Sequence, residues 1–273
     1  MTPRARASGS TAASTPASTA KTLCRTALVT GGAKRIGSTI ALALAERGWD
    51  VAIHYSTSAG DAKKTVAAIE RLGRRAIAFD ADLSDENASR GLIERVEVAL
   101  SRPTCLVNNA SLFQADDAAT LGYATLEAHM RVNLAAPLVL AQAMHRALTA
   151  RQRGVVINLL DQKLFNPNPD YLSYTLSKAA LHSATALLAR ALAPKLRVVG
   201  IAPGITLPSG SQSRKDFDRA HAKTPLGRSS NPADIAAAVC FAAESPAITG
   251  TTLVVDGGQH LVPTERDIMF VTR

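Results

Sequence analysis

Cysteine is scarce in this sequence of 273 residues: Cys24, Cys105 and Cys240 stand far apart and form no Cys-x-x-Cys pair. An odd, scattered set excludes a disulfide framework and a cysteine zinc site, and points to a reducing, cytoplasmic setting. The six histidines form no His-Glu-x-x-His cluster, so no structural or catalytic metal is expected. Aromatic residues make up only 4%, and the lysines and arginines behind the net charge of +9 are scattered among acids. Without interleaved aromatics, that pattern argues against nucleic acid as a partner. A polyanionic small molecule and solvated helix faces account for the charge. No apolar run approaches the roughly eighteen residues of a membrane span. Residues 1–21 lack both acids and apolar periodicity, and are expected to be a disordered tail. Their basic, serine-rich composition is shared with transit peptides, but no amphipathic helix and no signal-peptide apolar core is evident.

What is present is 47% hydrophobic residues, arranged as short apolar strands alternating with alanine- and leucine-rich helices. That alternation predicts a single doubly wound α/β domain of the Rossmann type, a parallel sheet flanked by helices, over residues 22–262. Residues 263–273 follow as an extension without an assigned role. The first strand, Thr26 to Thr30, runs into Gly31-Gly32-Ala33-Lys34-Arg35-Ile36-Gly37 and then a helix from Ser38 to Gly48. A glycine-rich turn at that junction offers backbone N–H groups to a pyrophosphate. The second strand, DVAIHY, ends without the acid that would bond the ribose hydroxyls of NAD; the next acid is Asp61. Lys34, Arg35, His54 and Ser58 instead offer donors and cations to a ribose 2′-phosphate, which favours NADPH.

The third strand leads to Asp82-Leu83, beside the expected adenine position, and the fourth to Asn108-Asn109-Ala110. Asn133 sits in an apolar helical stretch over 126–144 and needs a partner if buried. The strand VVINLL delivers Asp161 to the carboxyl edge of the sheet, where open α/β folds bind ligands. Tyr174 and Lys178, four residues apart on a long helix, share one face. A neighbouring ammonium lowers a phenol's pKa, which would make Tyr174 a usable general acid. A further strand ends at Pro203-Gly204-Ile205, and the polar stretch 206–232 reads as a mobile loop or short helices covering a substrate. A helix at 232–245 and a strand within 250–261 complete the set.

In this order the pieces resemble the short-chain dehydrogenase/reductase family across roughly residues 25–262, through Thr30-Gly31-x-x-x-Arg35-x-Gly37, Asp82-Leu83, Asn108-Asn109-Ala110, Asn133, Tyr174-x-x-x-Lys178, Pro203-Gly204 and Asp256-Gly257-Gly258. Within it the chain looks most like pteridine reductases and the related bacterial dihydromonapterin and dihydrofolate reductases. GGAKRIG, HYSTSA and NNASLF carry this likeness, and above all Asp161, thirteen residues before the tyrosine where most members have serine. The resemblance implies NADPH-dependent reduction of a pterin or folate, with Tyr174 and Asp161 supplying protons. Lys178 would lower the tyrosine pKa and hold the nicotinamide ribose, and Asn133 would support the relay. Arg35, Ser111 and Phe113 would contact the pterin, Phe113 opposite the nicotinamide. Cofactor contacts are implied for Gly31, Lys34, Arg35, Ile36, Gly37, His54, Tyr55, Ser58, Asp82, Leu83, Asn109, Ala110, Tyr174, Lys178, Pro203, Gly204 and Ile205, and a homotetramer for the assembly. One departure is Thr57, which precedes Ser58 where such relatives commonly carry arginine. Two other readings stand beside this one: a reductase of another carbonyl or imine, and a cofactor-binding or nucleic-acid-associated protein without turnover. Asp161 argues against the first, because a carboxylate beside a developing alkoxide brings two negative charges together. The intact tyrosine–lysine pair argues against the second.

Overall fold

Seven short strands rich in valine, isoleucine and leucine form a single parallel sheet in the order β3-β2-β1-β4-β5-β6-β7. They are β1 Thr26–Val29, β2 Asp50–Tyr55, β3 Ala76–Asp80, β4 Cys105–Asn108, β5 Gly154–Leu159, β6 Leu196–Pro203 and β7 Thr252–Val255. The computed structural model describes residues 25–208 and 213–271, so the tail expected over 1–21 lies outside the described residues. The helices are α1 Arg35–Glu46, α2 Ala59–Arg71, α3 Glu86–Ala99, α4 Tyr123–Met130, α5 Ala136–Ala147, α6 Leu172–Ala191, α7 Arg214–Ala222, α8 Pro232–Glu244 and α9 Ile268–Val271. No described helix is long and apolar enough to cross a membrane.

The inner strands are buried on both faces because successive side chains feed opposite layers, while the edge strands β3 and β7 are partly open. Ala27 and Val29 join Ile40 and Leu44 of α1, Ile69 of α2 and Ile235 and Val239 of α8 on one side. Leu28, between them, joins Leu92 and Val96 of α3 and Leu140 and Met144 of α5 on the other. The chain builds outward from β1 to β3 and then returns to place β4 on the opposite flank of β1. This reversal opens a crevice at the carboxyl ends of β1 and β4.

The turn after β1 is packed too tightly for ordinary side chains. Gly31 sits at φ +61°, and a Cβ on Gly37 would stand 2.1 Å from the Gly31 carbonyl oxygen. Arg35, where the T-G-x-x-x-G-x-G turn of the family the chain resembles has its middle glycine, holds the same left-handed conformation at φ +56°, a strained state for a side-chain-bearing residue. The turn is tied on both flanks. Thr30 Oγ1 accepts the N–H groups of Asn109 and Ala110, each at 3.0 Å, and Asn109 Nδ2 donates to the Thr30 carbonyl at 2.9 Å. On the β2 side, His54 Nδ1 accepts the Gly31 N–H at 3.1 Å, so Nε2 carries the proton and donates to the Ala81 carbonyl at 3.0 Å.

Several elements differ from the sequence-based expectation. Helix α1 begins at Arg35 rather than Ser38, its first turn closed by the Ser38 N–H donating to the Lys34 carbonyl at 3.3 Å. Helix α3 was not anticipated. The helix expected as continuous over 126–144 is α4 and α5 joined by a π-helical turn at Arg131–Ala135, a defect often found at functional sites. The stretch 206–232 contains α7, and residues 209–212 of it lie outside the described set.

Burial pushes the His54 pKa down, so the unfolded chain takes up a proton near pH ~6.5 that the folded protein excludes. The stabilisation is therefore present above that pH and lost as pH falls below it, at a slope of at most about 1.4 kcal/mol per pH unit. Urea unfolding from about pH 8 to pH 5 should show this loss. His54→Asn, which cannot be protonated, should remove its share of the slope; an unchanged slope would mean that another group titrates.

Candidate active site

Two residues beyond the end of β5 stands Asp161, whose half-buried carboxyl group forms part of a cavity wall. The next turn, a short 3-10 helix at Gln162–Leu164, starts with the Lys163 N–H donating to Asp161 Oδ1 at 2.8 Å. Helix α6 faces it. Asp116 caps the start of that helix by accepting the Ser173 N–H at 2.9 Å, and one turn in, the Tyr174 hydroxyl donates to Asp161 Oδ2 at 2.7 Å. Lys178, one turn further, donates to the Leu159 carbonyl at 2.7 Å, with its Nζ 5.7 Å from the Tyr174 ring centre.

The electrostatics correct one expectation. Lys178 was expected to lower the Tyr174 pKa, yet burial and then the neighbouring Asp161 charge push the phenol well above its usual range. The ammonium is spent on a backbone carbonyl, and the phenol's nearest charged neighbour is an acid. Burial likewise pushes Asp161 up, opposed by the Lys163 N–H and the Tyr174 hydroxyl, which favour its anion. Burial brings Lys178 down to about 8. The arrangement is a buried phenol that keeps its proton and shares it with a carboxyl group, beside an ammonium that gives its own up readily.

Asn133, which needs a partner if buried, is buried and has partners at both ends of its amide. In the π-helical turn, its Oδ1 accepts the Leu112 N–H at 2.7 Å and the Ser111 hydroxyl at 3.3 Å. Its Nδ2 donates to the Leu112 carbonyl and to Ser177 Oγ, each at 3.0 Å. Its amide is thus occupied in bracing the 111–113 segment against α6, rather than in bonding Tyr174 or Lys178. Braced in this way, Phe113 stacks on Tyr171 at 4.3 Å and meets Tyr174 edge-on at 4.7 Å.

A cavity of about 240 Å³ gathers most of the residues singled out from the sequence: Arg35, Ile36, Asn109, Ser111, Phe113, Asp161, Tyr174, Lys178, Pro203, Gly204 and Ile205. Arg35 reaches over its mouth to donate to the Pro208 carbonyl at 3.0 Å. Gly31 and Gly37 form the turn beneath. Lys34, Tyr55 and Ser58 lie on the β2 side of the crevice, Lys34 exposed and the other two half-buried. Exposed Asp82 takes the Ser84 N–H and hydroxyl at 2.9 and 2.8 Å, which hold its carboxyl below the usual range, while Leu83 is buried in the core. His54 is the clear miss: it is buried, neutral and bonded at both nitrogens, and so is a buttress of the turn rather than a cation for a phosphate.

The sequence reading also left residues out. Lys163, Gln259, Asp267 and Ile268 line the same cavity. The described part of the carboxy-terminal extension, residues 263–271, given no role, folds back onto the site, with the Arg266 guanidinium gripping Asp170 at 2.6–2.9 Å and holding that carboxyl below its usual range. No local pattern in the sequence announces this return, since both partners of each contact are distant in the chain.

Comparisons with known proteins agree with this architecture. Residues 31–260 match the family profile described as enoyl-(acyl carrier protein) reductase. The structure of FolM alternative dihydrofolate reductase 1 from Brucella canis, complexed with NADP, superimposes with a TM-score of 0.82 at 42% identity, covering 87% of this chain and 95% of that one. A short-chain dehydrogenase from Burkholderia cenocepacia J2315, in complex with NADP, gives 0.80 at 37% identity over 86% and 97%. The L-rhamnose 1-dehydrogenase (NAD(P)(+)) of Sphingomonas sp. is 30% identical over 87% of this chain and 96% of its own. With the matching sheet, glycine turn and tyrosine–lysine helix, the chain belongs to the short-chain dehydrogenase/reductase family of oxidoreductases.

Proposed function

We propose that this protein reduces a C=N bond of a pterin, of the dihydropteridine, dihydromonapterin or dihydrofolate type, with NADPH. The observation that carries the reading is the 2.7 Å contact between the Tyr174 hydroxyl and Asp161 at the cavity wall. The residues present fit the dinucleotide. The crowded Gly31–Gly37 turn opens the start of α1, where Lys34 has no side-chain cap competing for the N–H groups, so a pyrophosphate can approach. Strand β2 ends at Tyr55 with no acid to repel a 2′-phosphate, and Lys34 is exposed in the turn whose Gly32 N–H bonds the His54 carbonyl of that strand. When bound, NADPH supplies the hydride.

The remaining chemistry belongs to the protein. Reducing C=N requires a proton at nitrogen, and the Tyr174–Asp161 pair holds one at neutral pH because burial disfavours both anions. Asp161 can bond a ring nitrogen, a task for which a carboxyl group suits better than it suits an alkoxide. Lys178, anchored on the Leu159 carbonyl and brought down to about 8, is still mainly an ammonium at neutral pH and would hold the nicotinamide ribose. Phe113, stacked on Tyr171, offers a flat apolar face to a heterocycle. The similarity to a dihydrofolate reductase crystallised with NADP supports the same substrate class. The family resemblance implies a homotetramer, and the sparse, unpaired cysteines a reducing, cytoplasmic setting.

Tyr174→Phe should keep the fold and its thermal midpoint while turnover drops by a factor of roughly 100 or more, the usual size of general-acid catalysis; near-full activity would contradict the assignment. Asp161→Ser should lose pterin reduction far more than NADPH affinity, and an equal loss of both would count against a proton role. NADPH oxidation followed with dihydrobiopterin, dihydromonapterin, dihydrofolate and simple ketones tests the substrate class. Turnover of ketones alone would replace the pterin reading with that of a general carbonyl reductase.

A further inference from the structure

Lys163 is a lysine almost without solvent, 3% exposed. Burying an ammonium is costly unless it is paired and hydrogen-bonded. Its Nζ donates to the Asp170 carbonyl, meets Asp267 Oδ2 at 3.3 Å and lies 5.4 Å from the centre of the Tyr171 ring. Asp267 comes from the carboxy-terminal segment. Its own N–H donates to Asp170 Oδ2 at 2.7 Å, the neighbouring Arg266 grips the same carboxylate, and Phe270 stacks on Tyr171 at 6.1 Å. The pair thus sits where the end of the chain, the loop before α6 and the turn after β5 meet. From the other end of Lys163, the backbone N–H holds Asp161 Oδ1 at 2.8 Å.

We propose that Lys163 and Asp267 are positioning residues, which clamp the 162–164 turn to the carboxy-terminal segment and so aim the Asp161 carboxyl group at Tyr174 and the cavity. This deepens the proposed function and rests on it, since aiming Asp161 matters only if Asp161 handles a proton. The charges around that carboxyl are Tyr174 and Lys178 from α6, Lys163 on its own turn, Asp267 from the segment, and Arg35 from α1 across the cavity. The Arg266–Asp170 pair lies behind Asp267. In this setting the two members of the clamp act with opposite sign. The Asp267 charge disfavours ionisation of both Asp161 and Tyr174, and the Lys163 ammonium offsets it.

The test is NMR titration of isotope-labelled aspartate carboxyls in the full chain, with Asp161 assigned by its loss in Asp161→Asn. Asp267→Asn removes a negative charge and leaves Lys163 uncompensated, so the Asp161 midpoint should fall by about one pH unit. Lys163→Met, matched in length and apolar, removes the cation that stands 3.3 Å from Asp267 Oδ2, so the midpoint should rise. Asp267→Glu should restore most of the native value. In turnover, Asp267→Asn should lower kcat by about tenfold through misplacement, with the NADPH Kd changed by less than about twofold. Midpoints that stay fixed or move in the same direction in both variants would overturn the proposal, as would loss of NADPH affinity in step with kcat. If Lys163→Met does not fold, the Asn and Glu variants of Asp267 decide alone, by a fall with rescue or by its absence. The titration uses no substrate, so failure of the pterin screen and failure of the clamp read out separately.

Discussion

A phenol and a carboxyl group share one proton at the wall of a cavity, and most of the surrounding architecture can be understood as keeping them there. Neither group would choose this position alone. Burial disfavours the charged form of each, and together they settle into a 2.7 Å hydrogen bond in which the tyrosine keeps its hydrogen. Their meeting needs a strand that ends at the carboxyl edge and a helix that crosses it, both fixed by packing. Strand β5 is central in the sheet and buried on both faces, and α6 is capped from a distant loop by Asp116. A shift of an ångström in either element would turn the shared proton into two isolated and costly polar groups.

The dinucleotide side of the crevice depends on a different constraint, the close approach of backbone to backbone. Gly37 has no room for a Cβ because the Gly31 carbonyl already occupies it. Neighbouring strands meet the turn's polar groups, His54 accepting the Gly31 N–H and Asn109 Nδ2 donating to the Thr30 and Gly31 carbonyls, while Thr30 Oγ1 ties the turn to the end of β4. His54 illustrates how residue type misleads. An imidazole near an expected phosphate suggests a cation, but a buried imidazole is cheaper neutral, and this one has a donor and an acceptor waiting at its two nitrogens.

The carboxy-terminal segment joins the two halves of the site in a way local patterns do not foretell. Arg266 and Asp267 bring charge to the loop that leads into α6, Phe270 extends the aromatic stack of Tyr171 and Phe113, and Ile268 closes a cavity wall. Tyr171 holds a left-handed backbone conformation at φ +55° in the middle of that stack. Such strain in a bulky residue persists only where neighbours over-determine it.

The alternation of buried strands and apolar-faced helices, the glycine turn and the four-residue spacing of Tyr174 and Lys178 were legible directly in the amino acids. Each rests on periodicity or on a local steric need, and these are properties of neighbours in the chain. So was the placement of Asp161 at a strand end. Tertiary structure alone decided the sign of the Tyr174 shift, the π-helical turn that lets Asn133 brace the 111–113 segment, the burial of His54 and Lys163, and the return of residues 264–271 to the site. These depend on distance and desolvation between groups far apart in sequence, quantities that no run of letters carries until the chain has folded.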